Sequence, residues 1–292
     1  MVRRPDAAER AGYERRAFEA AGIRHVVYRG GDGPAVLLLH EMPSLSWRTI
    51  AIADLIRGRG YRVVMPRFGR AVIGRTTGVE GAADAVRGAA NAIGMCVSSQ
   101  FVVLAQGRTS PIAGWLQALA RHEQTASARS RVGVRPVGVV GMCFTGGFAL
   151  ATALDPSIGL AVASQPSLPF AAGPLRRIPG QAADPGISAA DLDRLADRTS
   201  RGDLCVRAYR YSNDPLAPAE RIELLVERLG CGIRYVPIDL GPDDPPSHPV
   251  LSDAATVDGD GATPARKARK ALDDLLAALD ECLNRPPSGA AG

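Results

Sequence analysis

Lysine is nearly absent from this chain: Lys267 and Lys270 are the only two, and every other cationic side chain is an arginine. The net charge of +5 is modest, aromatic residues make up 5% of the chain, and no basic stripe interleaved with aromatics occurs. That argues against a nucleic-acid partner, and the arginine excess reads as coding bias. Cysteine is sparse and unpatterned. Cys96, Cys143, Cys205, Cys231 and Cys282 are odd in number and widely spaced, with no CxxC pair and no metal-ligand spacing to the four histidines. No metal site is expected, and free thiols in a reducing, cytoplasmic compartment are. The N-terminus has no apolar signal core and carries acidic residues. One stretch, Val137 to Leu154, is uncharged and long enough to resemble a membrane span. Its glycines at 138, 141, 146 and 147 point to another use, so no membrane partner is expected.

What remains is an ordinary globular composition, 46% hydrophobic and 22% charged over 292 residues. That length suits one large α/β domain better than two small ones. Residues 6–21 combine mixed charge with good helix formers and predict a peripheral helix within an N-terminal segment, 1–23. His25 to Tyr28 reads as a short strand and Ala35 to Leu39 as a buried one. Ser46 to Arg59 has helical periodicity and closes at Gly60, and Tyr61 to Met65 is the next strand. This alternation implies a parallel sheet with right-handed crossovers.

Further on, Glu80 to Ile93 reads as helix, and Cys96 to Leu104 as a strand or a helix start. Ile112 to Ala126 is a helix and Leu160 to Ser164 a strand. Prolines are dense from Gln165 to Gly186, which excludes a long regular element there. With the short helix Ala189 to Thr199, residues 165–200 form either a cap or a surface connection. Leu204 to Tyr211 and Ile233 to Leu240 read as strands around a helix, Ala217 to Leu229. Gly241 to Gly261 is a polar loop. Thr263 to Asn284 is the longest periodic helix, with Leu272, Leu275, Leu276 and Leu279 on one face. Residues 24–284 thus make a single domain, followed by a disordered tail, 285–292.

The chemistry centres on Cys143. Val137 to Val140 fit a buried strand, Gly141 and Gly146-Gly147 bracket the cysteine, and Phe148 to Leu154 fit a packed helix start. Strand, sharp turn and helix in that order form a nucleophile elbow, which lifts the central side chain above the sheet. Small neighbours let strand and helix approach. A cysteine there is a nucleophile once it becomes a thiolate. In α/β-hydrolases an acid and then a histidine follow the nucleophile. His248 alone among the histidines lies after Cys143, in a loop after a predicted strand. Asp214, in Asn213-Asp214-Pro215, lies between a strand and a helix, where such an acid belongs; Asp239 and Asp243 compete less well. His248 can draw the thiol proton and Asp214 can set the imidazole tautomer. The oxyanion needs backbone donors: the N–H of Phe144, and one near Met42 after the first core strand. Glu41, at the end of that strand, is a carboxylate with no role in a serine triad. Beside a cysteine it can hold or accept a thiol proton. His40 reads as a packing residue.

These residues together resemble the dienelactone hydrolase family. The likeness rests on Gly141-Met142-Cys143-Phe144 with Gly146, on His40-Glu41 after the strand, on Asn213-Asp214-Pro215 and on Ser247-His248, and it covers residues 24–283. It implies an α/β-hydrolase fold, a mostly parallel central sheet flanked by helices on both faces. It also implies a Cys143–His248–Asp214 triad, Glu41 helping to control the thiol, and cleavage of a carboxylic ester or lactone through an acyl-cysteine, with no metal or organic cofactor. Two departures stand out. Thr145 replaces the glycine usual two places after the cysteine, and a β-branched residue should crowd the turn. Ser252 stands four residues past the histidine, where the family's dienelactone-cleaving members have an arginine that holds the substrate carboxylate, which puts the dienelactone itself in doubt. The competing readings are acyl transfer or thioester hydrolysis by the same triad, a non-catalytic small-molecule-binding protein on the same fold, and a thiol-redox role for Cys143, which lacks a resolving partner. Arg67, Arg70, Arg75, Arg176 and Arg177 are available to greet an anionic substrate group.

Overall fold

The structure, a computed structural model, describes residues 5–69, 72–74, 100–101, 106–128, 133–256 and 263–284. The expected elements at 80–93 and most of 96–104, Arg70, Arg75 and the tail lie outside these residues.

The core is an eight-stranded sheet. Six strands run parallel: β3 (Ala35–Leu39), β5 (Arg62–Arg67), β7 (Val137–Met142), β8 (Ile158–Ser164), β9 (Cys205–Tyr211) and β10 (Ile233–Ile238). Two antiparallel strands, β1 (Glu14–Ala20) and β2 (Ile23–Gly30), complete the order β1-β2-β5-β3-β7-β8-β9-β10. A separate short parallel pair joins β4 (Leu45–Ser46) to β6 (Val72–Ile73). The parallel sheet is the one the alternation of strands and helices implies, and the whole is the α/β-hydrolase fold that the resemblance implies. Along β3, Leu37 and Leu39 enter one hydrophobic cluster while Val36 and Leu38 enter the other. Successive side chains point to opposite faces, and both faces are covered, so the strand reads as an unbroken apolar run.

One face carries α3 (Ile112–Ala128), α4 (Gly146–Thr152), α5 (Ala189–Ser200) and α6 (Ala219–Leu229), with Trp115, Phe148, Leu195 and Leu225 buried on it. The other carries α1 (Ala7–Arg10), α2 (Trp47–Gly58), α7 (Val250–Thr256) and α8 (Thr263–Leu283), with Ile52, Leu251, Leu275 and Leu279 buried. The leucine stripe of the last helix therefore faces the sheet as its periodicity requires. No helix among the described residues is long and apolar enough to cross a membrane; Val137 to Leu154 is β7, the elbow turn and α4.

Three expectations are corrected. The N-terminal helix over 6–21 is instead a four-residue helix, capped by a reciprocal Asp6–Glu9 box, followed by strand β1. Glu14 to Ala20 have helix-forming side chains, but each residue pairs with β2, and Ala21 and Gly22 turn the hairpin with φ of +51° and +73°. Both central residues at positive φ match the twist of the strands, and tertiary pairing overrides local propensity. Second, the polar loop Gly241 to Gly261 contains α7, two turns long and held by Val250, Leu251 and Ala254 buried against α2 and α8. Third, Cys205 and Cys282 are not free thiols: a disulfide joins the start of β9 to the end of α8, with Cα atoms 6.4 Å apart across a sequence separation of 77. No spacing rule reveals such a pair. From Gln165 to Gly186 the one helical element is a single 3₁₀ stretch, Gly173–Arg177, as the prolines require.

Candidate active site

The chain leaves β7 into a 3₁₀ turn, Cys143–Thr145, before α4. Cys143 sits at φ +57°, the left-handed region, which costs a non-glycine residue about 1–2 kcal/mol and persists only where the surroundings enforce it. The enforcement is visible in the spacing. A Cβ on Gly141 would lie 2.2 Å from the Thr145 carbonyl oxygen, and one on Gly146 would lie 2.7 Å from the Pro166 Cβ. Thr145 does not crowd the turn. Its own φ is −90°, and its side chain is fully buried. The Thr145 hydroxyl accepts the Met142 N–H at 2.8 Å and faces the carbonyls of Met142 at 2.9 Å and of Leu39 and His40 at 3.3 Å. A β-branched residue is thus a brace for this elbow, tying its two ends to the end of β3.

Cys143 is half-buried. Its Sγ lies 3.3 Å from Ser167 Oγ, and the Ser167 N–H donates to the Cys143 carbonyl at 3.1 Å. Phe144 follows Cys143 inside the turn and is buried, while Met42 is half-buried. Leu39 pairs with Gly141 across β3 and β7. Met42 and Phe144 each lie three residues past this pair, so the two proposed donor loops start side by side.

His248 and Asp214 are brought together from loops 34 residues apart: His248 Nδ1 lies 2.8 Å from Oδ2 and 2.9 Å from Oδ1. The Asp214 side chain is fully buried, and its Oδ1 also accepts the N–H groups of Leu216 at 2.8 Å and Ala217 at 3.0 Å. Arg210 braces the same loop by donating to the carbonyls of Ala217, Ser212 and Asp214. A carboxylate only accepts, so Nδ1 carries the proton and Nε2 is free to take another. Nε2 is buried and has no hydrogen-bond partner among the described residues. Burial alone would lower the His248 pKa, but Asp214 and the Cys143 sulfur outweigh it and raise it to about 10. This is a strong base next to a thiol.

Glu41 is buried, and burial pushes its carboxyl above the usual carboxylate range, although the Ser252 hydrogen bond and the nearby His248 pull the other way. Ser252 Oγ donates to Oε1 at 2.5 Å and Gln165 Nε2 donates to Oε2 at 3.3 Å. Ser164 holds the other end of the Gln165 amide. The position where dienelactone-cleaving relatives of the resembled family carry an arginine here anchors Glu41 inside the protein. His40 is a packing residue: its Nδ1 donates to the Glu41 carbonyl at 2.8 Å, and its Nε2 accepts the Phe68 N–H at 3.0 Å. Acceptance at Nε2 needs the neutral ring, and burial holds its pKa down at about 4.

Ser167, Gln165, Arg210 and Arg221 carry no motif and were not singled out by their sequence. Their one signal is position, since Gln165 and Ser167 directly follow β8, and sites in such sheets form at the carboxyl ends of strands. A cavity of about 570 Å³ lies at the other end, lined by Ile158, Cys205, Arg194, Arg201 and Cys282. Among the described residues no histidine or free thiol lines it. No group of side chains among the described residues is arranged to hold a metal ion.

No protein-family profile and no curated protein sequence matches the chain. Solved structures do. A candidate dienelactone hydrolase from Klebsiella pneumoniae subsp. pneumoniae is similar with TM-score 0.53 and 15% identity, over 91% of this chain and 98% of its own. An esterase of Pyrococcus furiosus is similar with TM-score 0.52 and 13% identity, over 96% and 97%. A thioesterase domain from the curacin biosynthetic pathway is similar with TM-score 0.53 and 14% identity, over 91% and 99%. At these identities the likeness is one of fold.

Proposed function

We propose that the protein is a hydrolase of carboxylic esters or lactones, dienelactone hydrolase-like, with Cys143 as nucleophile, His248 as base and Asp214 as the acid that orients it. The observation that carries this reading is the buried His248–Asp214 pair, its Nε2 left open beside a cysteine held at positive φ on the elbow. Structural neighbours that include esterases support it.

Nε2 takes the thiol proton, and the sulfur attacks the acyl carbon. The carbonyl oxygen becomes an oxyanion, received by the N–H groups of Phe144 and Met42. Collapse breaks the bond to the leaving alkoxide, which takes the proton from His248 and departs. His248 then deprotonates a water that attacks the acyl-cysteine. The second tetrahedral intermediate expels the sulfur, releasing the carboxylic acid and restoring the thiol. Glu41, pushed toward its neutral form and bonded through its carboxyl to Ser252 and Gln165, acts electrostatically on His248 and through that base helps control the thiol. With Ser252 turned to Glu41, the substrate need not carry the carboxylate of a dienelactone.

The experiment is acylation by a short activated ester, quenched in acid and mapped by peptide mass spectrometry. The adduct is expected on Cys143, and Cys143→Ala should abolish turnover. Unchanged turnover in that variant would overturn the proposal, and a ligand-binding protein without turnover would show neither adduct nor hydrolysis.

A further inference from the structure

Besides His248, the side chain of Ser167 touches the Cys143 sulfur, and no sequence motif or resemblance assigns it a role. It is 1% exposed, and Cys143 is the one hydrogen-bond partner of its hydroxyl among the described residues. Its place is fixed from three sides. The Ser167 N–H is bonded to the Cys143 carbonyl, so serine and cysteine move as a unit. The preceding Pro166 packs so closely on Gly146 that a Cβ there would meet it at 2.7 Å. The Pro166 carbonyl accepts Arg221 Nη1 at 2.7 Å. Arg221 is itself fully buried and makes no ion pair among the described residues; it also donates to the carbonyls of Pro169 at 2.7 Å, Gln181 at 3.2 Å and Asp184. Four carbonyls around one guanidinium pin a proline-rich stretch whose one regular element is the 3₁₀ turn Gly173–Arg177, and Ser167 stands at its start.

We propose that Ser167 is a further catalytic residue, whose hydroxyl donates a hydrogen bond to the Cys143 sulfur and favours its charged form at the start and end of the reaction. The assignment deepens the proposed function and rests on Cys143 being the nucleophile. A thiol and a hydroxyl can each donate to the other, but a thiolate only accepts, so ionisation makes Ser167 the donor and strengthens the contact. The proton balance is simple. The proton on sulfur goes to His248 Nε2, while Ser167 keeps its own and no bond in its hydroxyl breaks. In the acyl-cysteine the sulfur lends its electrons to the thioester and the contact weakens. When the C–S bond breaks in deacylation, charge returns to sulfur and the donor is already in position.

The test is the pH dependence of Cys143 alkylation by iodoacetamide, with the adduct located by peptide mass spectrometry because Cys231 is also a free, exposed thiol. In Ser167→Ala the rate near pH 6 should fall about five- to tenfold while the high-pH plateau changes less than about twofold, the pattern of a lost donor to the thiolate. Ser167→Thr, which keeps the hydroxyl, should restore most of the rate. If the alanine variant does not fold, Ser167→Gly takes its place. An alkylation profile for Ser167→Ala that overlays the wild type overturns the proposal. So does an equal loss in Ala and Thr, which would assign the effect to packing. Alkylation needs no ester. A protein that hydrolyses nothing yet shows the Ser167 dependence would sink the esterase reading alone; ester turnover with an unchanged profile would sink the role of Ser167 alone.

Discussion

Ser252 donates its hydroxyl to Glu41 at 2.5 Å across a sequence separation of 211, joining α7 to the loop that follows β3. The contact is the main hydrogen bond opposing the effect of burial on Glu41. Ser252→Ala should therefore push the Glu41 carboxyl further up. A carboxyl whose folded pKa is raised contributes stability that is fully present below its unfolded value and lost as pH rises through its folded value. The penalty of Ser252→Ala should accordingly be small near pH 4 and grow toward neutral pH, reaching about 1–3 kcal/mol for a buried carboxylate that has lost its donor. Chemical denaturation across that pH range checks it, and a pH-independent penalty would show that Glu41 does not titrate there.

His248 has the same sign and a higher window. Its folded pKa of about 10 lies above the ordinary 6.5, with burial opposing and Asp214 and Cys143 prevailing. The stability from this proton is fully present below about pH 6.5 and is lost as pH rises through about 10. The wild type should lose on the order of 2 kcal/mol or more over that interval relative to His248→Gln. Parallel alkaline limbs in the two proteins would contradict it.

Asp214→Asn separates orientation from charge. Its amide would face the Nδ1 proton, so the ring should adopt the other tautomer, and ester turnover should fall about 10³–10⁴-fold. The variant should stay folded, because Oδ1 can still accept from Leu216 and Ala217. Steady-state kinetics beside a circular dichroism melt decides between lost chemistry and lost fold.

Thr145→Gly matches the dienelactone hydrolase pattern, and the structure says it should harm the protein. The substitution removes the acceptor of the Met142 N–H and the link to the end of β3. A loss of about 1–3 kcal/mol is expected, with Thr145→Ser retaining most of the stability. A glycine variant as stable as the wild type would remove the brace from the account of the elbow.

The Cys205–Cys282 bond closes a sequence separation of 77. Replacing both cysteines by alanine should cost about 2–4 kcal/mol. Peptide mapping without reductant should recover the linked pair, and failure to find it would return both residues to free thiols.

Much of this protein is legible locally. The buried parallel strands are apolar runs, and the elbow is a strand, a cysteine and glycines in contact order. The chain order of Cys143, Asp214 and His248 places each at the carboxyl end of its strand, where a parallel sheet gathers its loops. Period and punctuation suffice for such features because they depend on neighbours a few residues away. Other features depend on partners far along the chain. Glu14 to Ala20 became a strand because β2 offered a ladder, and α7 exists because α2 and α8 cover its apolar side. Thr145 could be judged only once its hydroxyl had met the end of β3. Ser252 revealed its partner only when α7 was docked, Ser167 when Arg221 had fixed its loop, and Cys205 when α8 had crossed the start of β9. A hydrogen bond or a disulfide needs two groups at a set distance, and over such separations the folded packing alone sets it.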